Sequence, residues 1–437
     1  MKPDRPATDE GRVKTLEVGP RGLTVRVGRT AAWVAAGVCV LAIFLFVPTA
    51  RAIQFFVARR WGRAMFGTAV VFAVLAALGL TLTYLLFDRK SRRVSNYLWT
   101  AATAGLYLYL TYALRGNPEE SVHFIEYGVL GVALYFALSF STRDGTIYPA
   151  AWLIGCLVGF FDEFLQWLTP LRYFDVRDVG INVLASLLVQ VGIWKGVAPA
   201  LVRGPVRLRT ARRAAALLAA NLVCLGLVIS ATPRRVARLA RAVPGLSYLR
   251  TQEPVFEFKY RYRDPEIGVF HSRMTKREMV RTDRAKAREY VPILKTWQNR
   301  DYIRFLEVYP RLLYPFLQEF KAHVLRRDKM LDRARTESAG LEKDRAFVAA
   351  RSENRILETY FPETLAATGW AWDEATRRRV EARAAKVDFA YVSTVAFTQH
   401  NYLNENLVWA LLIAGFLAVA ALWIVLGKNS GDTILNS

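Results

Sequence analysis

Eight apolar runs, each near the ~20 residues that a helix needs to cross a bilayer, constrain this chain more than anything else in it. They lie at about 31–50, 64–87, 97–114, 123–141, 148–168, 179–195, 213–231 and 406–427. A chain crossing hydrocarbon must satisfy its own backbone N–H and C=O groups, so runs of this length fold as helices. The expected fold is therefore an all-α polytopic membrane protein with about eight transmembrane helices. Between the last two runs, residues 232–405 are too long and too charged for a loop. They read as a separate, mostly helical domain carrying a β-hairpin. That alternation explains how a chain that is 53% apolar has a mean hydropathy of only +0.16.

Residues 1–30 are polar and mixed in charge and are expected to form a mostly disordered cytoplasmic tail, with no cleavable signal peptide. Lys and Arg set the orientation of the spans. The N-terminal tail, 88–96, 141–147, 195–213 and the C-terminal tail together carry nineteen. The alternate connections, counted to the first ten residues after run seven, carry eleven. The bias places both termini in the cytoplasm and residues 232–405 outside, although the loop Arg51–Arg63 runs against it. The net charge of +23 sits at span ends and in the polar segment, which suits anionic headgroups. No nucleic-acid-binding motif accompanies it, so nucleic acid is not an expected partner. Cys39, Cys156 and Cys224 all lie inside apolar runs, where cysteine acts as a small hydrophobe.

Polar side chains interrupt three successive runs. His123, Glu126 and Tyr127 begin the fourth, Asp162, Glu163 and Gln166 end the fifth, and Asp178 and Asn182 begin the sixth. Arg172 and Asp175 lie in the connection after Pro170. Spacings of three and four put each set on one helical face, and all three ends fall toward the same side of the membrane. Ionisable groups in spans are costly and mark sites, relays or paired networks. On the functional reading, His123 and Glu126 are an acid/base pair, with Asp162 and Glu163 as further catalytic acids. Tyr127, Gln166, Arg172, Asp175, Asp178 and Asn182 bind substrate, with Arg172 as the anion anchor. On the structural reading, the same charges pair only to make a tight turn insertable. No metal is expected, because His271, His323 and His400 are scattered and no HExxH-type spacing occurs. No cofactor is expected either.

The ordered set His-x-x-Glu-Tyr, Asp-Glu-x-x-Gln, Pro-x-Arg, two aspartates and Asn182 resembles the VanZ-like family over about residues 95–195. Its members are small bacterial integral membrane proteins, one of them linked to low-level teicoplanin resistance. The resemblance implies a place in the bacterial inner membrane and a role in the cell envelope, with membrane lipids and a lipid-linked cell-wall precursor or glycopeptide as partners. It implies no particular reaction. Around that core, the chain adds two transmembrane helices at 31–94, and a cytoplasmic loop with a seventh helix at 196–231. The extracytoplasmic domain follows at 232–405, then an eighth helix at 406–427 and a short tail at 428–437.

Within the polar domain, Pro233 to Arg250 reads either as an interfacial helix or as a linker. Val255 to Arg263 alternates strictly, putting Phe256, Phe258, Tyr260 and Tyr262 on one face. Asp264 to Gly268 supplies a turn into a second strand over 269–274. An aromatic face of this kind packs on helices, expected at 275–290, 298–308, 314–360 with a break at Gly340, and 373–400. No phosphate loop, GxSxG or nucleophile–base motif is present. Two function classes remain: an enzyme or binder of a polar lipid headgroup, and a scaffold whose 232–405 domain contacts other membrane proteins. A transporter is disfavoured, since the inner halves of runs four to six are apolar apart from Gln190 and Lys195.

Overall fold

The computed structural model describes residues 13–18, 23–170, 172–252, 254–298, 302–337, 340–396, 404–428 and 434–435. It divides the chain into a unit of residues 1–228 with 410–437 and a second of residues 229–409.

The first unit opens with an antiparallel hairpin, β1 (Val13–Val18) and β2 (Leu23–Gly28), where a mostly disordered tail was expected. Leu23, Val25 and Val27 alternate with Thr24 and Arg26, a strand signal that the overall polarity of the segment hid. Helix α1 (Arg29–Trp61) follows directly. Its 33 residues span about 50 Å at 1.5 Å per residue, so the expected 51–63 loop is largely a helical extension. Arg59 and Arg60 sit in its last turn, where cations suit the helix dipole.

Next come α2 (Ala64–Thr83), α3 (Val94–Ala113), a 3₁₀ turn at Pro118–Val122, α4 (His123–Leu138), α5 (Ile147–Trp167) and α6 (Val176–Val191). β3 (Val206–Arg207) leads into α7 (Leu208–Ser230). Among the described residues, seven helices are long and apolar enough to cross a membrane. The remaining expected span, the third (97–114), forms α3, a helix of 20 residues, but is less apolar. Asn96, Thr100, Thr103 and Thr111, with four tyrosines, lower its hydropathy. Part of that polarity is satisfied internally. Thr100 and Thr111 hydroxyls donate to carbonyls one turn back, and Tyr107 donates to Ala185 O at 2.6 Å.

Helices α4, α5 and α6 hold the centre of this unit, with Tyr127, Leu130, Leu134, Ala151, Val158, Ala185 and Leu188 in one core that also takes Ala32, Ala36 and Ile43 of α1. Small residues set the approach. A Cβ on Gly155 would lie 2.4 Å from Ser186 Oγ, and one on Gly159 would lie 3.0 Å from Asn182 Cβ.

The second unit begins with α8 (Pro233–Ala242) and a 3₁₀ segment, Pro244–Arg250. The expected hairpin forms as β4 (Tyr260–Asp264) and β5 (Gly268–Ser272), with Tyr262 opposite Phe270. Both aromatics pack on the helices, Phe270 against Tyr360, so this part of the aromatic face is core. The helices are α9 (Lys276–Thr296), α10 (Tyr302–Val308), α11 (Pro315–Thr336), α12 (Leu341–Tyr360), α13 (Pro362–Thr368) and α14 (Glu374–Ala384). A full capping box of Thr275 and Glu278 starts α9.

The helix expected over 373–400 ends at Ala384. Beyond it the chain forms a parallel bridge to β5, with Val269 N donating to Tyr391 O at 2.9 Å and Ser393 N to Val269 O at 2.8 Å. Gly268 permits this: its φ is +99°, and a Cβ there would meet Tyr391 O at 2.4 Å. His400 lies outside the described residues. The chain then enters α15 (Glu405–Lys428), whose Gly415 and Trp423 face Leu222 and Arg212 of α7, and β6 (Ile434–Leu435) pairs with β3.

The interior of the second unit is polar as well as aromatic. Glu353, fully buried, takes His323 Nδ1 at 2.5 Å, Tyr391 Oη–H at 2.5 Å and Ser393 Oγ–H at 2.7 Å. Glu319, one turn before His323, accepts from Ser272 Oγ at 2.6 Å and Arg273 N at 2.8 Å. Every one of these residues except Arg273 is buried, so the cluster locks α11, α12 and the β5 edge together.

His271 is also buried. Burial, then the charges of Arg261 and Lys259, push its imidazole from 6.5 down to about 4. Below pH 6.5 the unfolded chain takes a proton that the folded one refuses until about pH 4. Stability present above 6.5 is therefore expected to fall through that window, by at most about 1.4 kcal/mol per pH unit. Melting of the full chain across the window should reveal it, and His271→Gln should flatten the slope. An identical slope in that variant would assign the acid sensitivity elsewhere.

Candidate functional site

Antiparallel packing brings together the N-terminus of α4, the C-terminus of α5 and the N-terminus of α6. Pro170 and the connection to Asp175 turn the chain between α5 and α6. Asp175 is the N-cap of α6, its carboxylate accepting Arg177 N at 2.8 Å. The three polar sets of the sequence converge at this end of the unit.

Glu126 Oε2 lies 3.2 Å from His123 Nδ1, and Asp178 Oδ2 lies 4.0 Å from His123 Nε2. Tyr127 donates to Asp162 Oδ2 at 3.4 Å. Glu163 accepts Gln166 Nε2 at 2.7 Å and Asp175 N at 3.1 Å. One ligand atom from each of His123, Glu163 and Asp178 falls within 4.8 Å of the others, a grouping that the spacing of histidines in the sequence did not anticipate. Asn182 is fully buried one turn beyond Asp178, against the Gly159 position that also adjoins Tyr127.

The inner residues are closed and the outer ones open. Tyr127, Asp162, Glu163, Gln166 and Asn182 are buried, whereas the side chains of His123, Asp178 and Glu126 keep 16%, 18% and 25% exposure. The histidine thus lies at the partly exposed edge of the cluster. Arg172, expected as an anion anchor, gives its guanidinium to Gln166 Oε1 and to Val47 O of α1. It ties the cluster to α1.

At the rim, Arg63 pairs with Glu119 at 2.7 Å and Arg177 with Glu120 at 3.2 Å. Glu119 and Glu120 escaped the sequence reading because they stand before the apolar run. Ser186 and Gln190 were also missed as members of one feature. With Asp178 and Asn182 they recur every four residues on α6, all three of the deeper ones buried, and Gln190 Nε2 bonds Gly131 O at 2.9 Å. That period was available in the sequence.

The fold and this arrangement define a multi-pass α-helical membrane protein with an acidic, histidine-bearing site where three helix ends meet. Residues 106–196 match the VanZ/LLP1 family model, so the site lies in a VanZ-like region, as the motifs implied. That region includes α4, α5, α6 and every candidate site residue. No curated protein and no solved structure matches the chain.

Proposed function

We propose that this VanZ-like region binds, and positions for acid/base chemistry, the polar headgroup of a membrane lipid or lipid-linked cell-wall precursor, on the extracytoplasmic side of a bacterial inner membrane. The observation that carries the reading is the convergence of His123, Glu126, Glu163 and Asp178 from three helices with the histidine still accessible. His123 beside Glu126 can take or give a proton at a bound hydroxyl or phosphate. Tyr127, Gln166, Asp175 and Asn182 shape the floor, and Arg172 holds Gln166 in place.

The test is binding of headgroup-labelled lipids and lipid-linked precursors to the protein in lipid nanodiscs. His123→Ala and Glu163→Gln are each expected to weaken binding at least tenfold, about 1.4 kcal/mol, with melting near that of wild type. Wild-type affinity in both variants would refute the reading.

A scaffold role is the second reading. The bonds of Glu163 to Gln166 and Asp175 are those that a purely structural network makes, and residues 229–409 form a unit with its own core. On that reading the site variants leave assembly with membrane partners intact, while substitutions on the surface of 255–396 disrupt it.

A further inference from the structure

The inner site is rich in carboxyls. Glu126, Asp162, Glu163 and Asp178 bring four carboxyls to the span ends. Arg172 is bonded into the cluster, while Arg63 and Arg177 are engaged by Glu119 and Glu120 at the rim. A buried carboxyl is paired with a cation, protonated or bound to a metal, and an anionic headgroup would approach four of them.

We propose that His123, Glu163 and Asp178 hold a divalent cation of the zinc or manganese class. Donors stand about 2.0–2.2 Å from such an ion, hence about 3.4 Å from one another on a tetrahedral one, so atoms at the 4.8 Å limit close by about 1 Å or more when the ion binds. The donor set of one imidazole and two carboxylates suits these ions better than magnesium or calcium, which prefer all-oxygen shells. The surroundings are those of a ligand shell. Glu126 Oε2 stands 3.2 Å from Nδ1, and Nε2 lies on the Asp178 side of the His123 ring, 4.0 Å from Asp178 Oδ2. Gln166 and Asp175 fix the Glu163 carboxylate from outside.

Buried polar atoms on two side chains supply an independent sign. Asp178 Oδ1 and both amide atoms of Asn182 have no hydrogen-bond partner, and such orphaned groups are costly unless something binds them. A cation engages Asp178 directly, and Asn182 stands unpartnered one turn deeper.

This inference rests on the headgroup reading for its role: the cation lets an acidic site accept a phosphate-bearing headgroup. The test starts from protein in nanodiscs, stripped with chelator and equilibrated with Zn²⁺ or Mn²⁺ alone. Bound metal is counted by inductively coupled plasma mass spectrometry. About one ion per chain is expected, with affinity lowered at least tenfold in His123→Ala and in Asp178→Asn.

Because those variants can perturb folding, pulsed electron paramagnetic resonance of Mn²⁺ on the wild-type protein serves as the second measurement. A histidine nitrogen coupling is the expected result. No stoichiometric ion, or a bound ion without nitrogen coupling, overturns the site. Metal-dependent retention of phosphate-bearing lipid supports its role. Metal bound at the site with no effect on lipid retention overturns that role and counts against the headgroup reading, while the cation site itself stands.

Discussion

Replacing Glu353 with alanine is expected to destabilise the 229–409 unit by about 3–5 kcal/mol, the cost of leaving one half of a buried polar pair behind. Glu353 is fully buried and gathers His323, Tyr391 and Ser393. Without it a buried imidazole and two hydroxyls lose their acceptor at once, and each orphaned group costs about 1–3 kcal/mol. Burial and the adjoining Glu353 charge push the Tyr391 hydroxyl up, so it is a donor throughout the ordinary pH range and gains nothing by ionising.

Glu353→Gln keeps an acceptor for Tyr391 and Ser393 and should cost less than the alanine. Denaturant titration of the full chain in lipid, followed by limited proteolysis across 229–409, measures both. An alanine variant that unfolds at the wild-type denaturant concentration would mean that the network does not hold α11 and α12 together. The absence of a motif from these residues is understandable. His323 and Glu353 are thirty residues apart on two helices, and Ser393 lies forty beyond Glu353 on an irregular strand.

The parts of the molecule that were legible in the sequence are those written with a short period. The spans were visible because hydrocarbon tolerates little besides uninterrupted apolar helix. The hairpin at 260–272 was visible because Phe256 to Arg263 alternates. The site residues were visible because His123, Asp162 and Asp178 are costly where they stand. What the sequence left open depended on three-dimensional neighbours. Arg172 pairs in sequence terms with Asp175, yet its guanidinium reaches Val47 on α1, 125 residues away. The run Glu374–Val395 has helical composition up to Ala384, but the exposed edge of β5 takes Tyr391 to Ser393 as strand. Polarity misled once in each direction, hiding the Leu23–Gly28 strand and overstating the apolarity of α3.

Gly155→Leu is expected to be strongly damaging to the membrane unit. Transmembrane helices approach closely through small residues, and at Gly155 the space that a Cβ needs is already held by Ser186, at 2.4 Å to Oγ and 3.1 Å to Cβ. Overpacking of this kind costs about 1–3 kcal/mol, and here relief requires α6 to move away from α5. The same two helices carry Glu163 and Asp178, whose ligand atoms must stay within 4.8 Å of each other and of His123. A shift of α6 therefore reaches the site two turns away. Gly155→Leu should lower both the melting temperature and the capacity to retain a cation or a headgroup. Gly180 on α6 has no heavy atom within 4 Å of its Cβ position, so Gly180→Leu should leave both unchanged and controls for bulk alone. A Gly155→Leu protein that melts early yet binds at full strength would separate the site from helix spacing. One that melts like wild type but binds weakly would make the close contact of α5 and α6 a positioning element for Glu163 and Asp178.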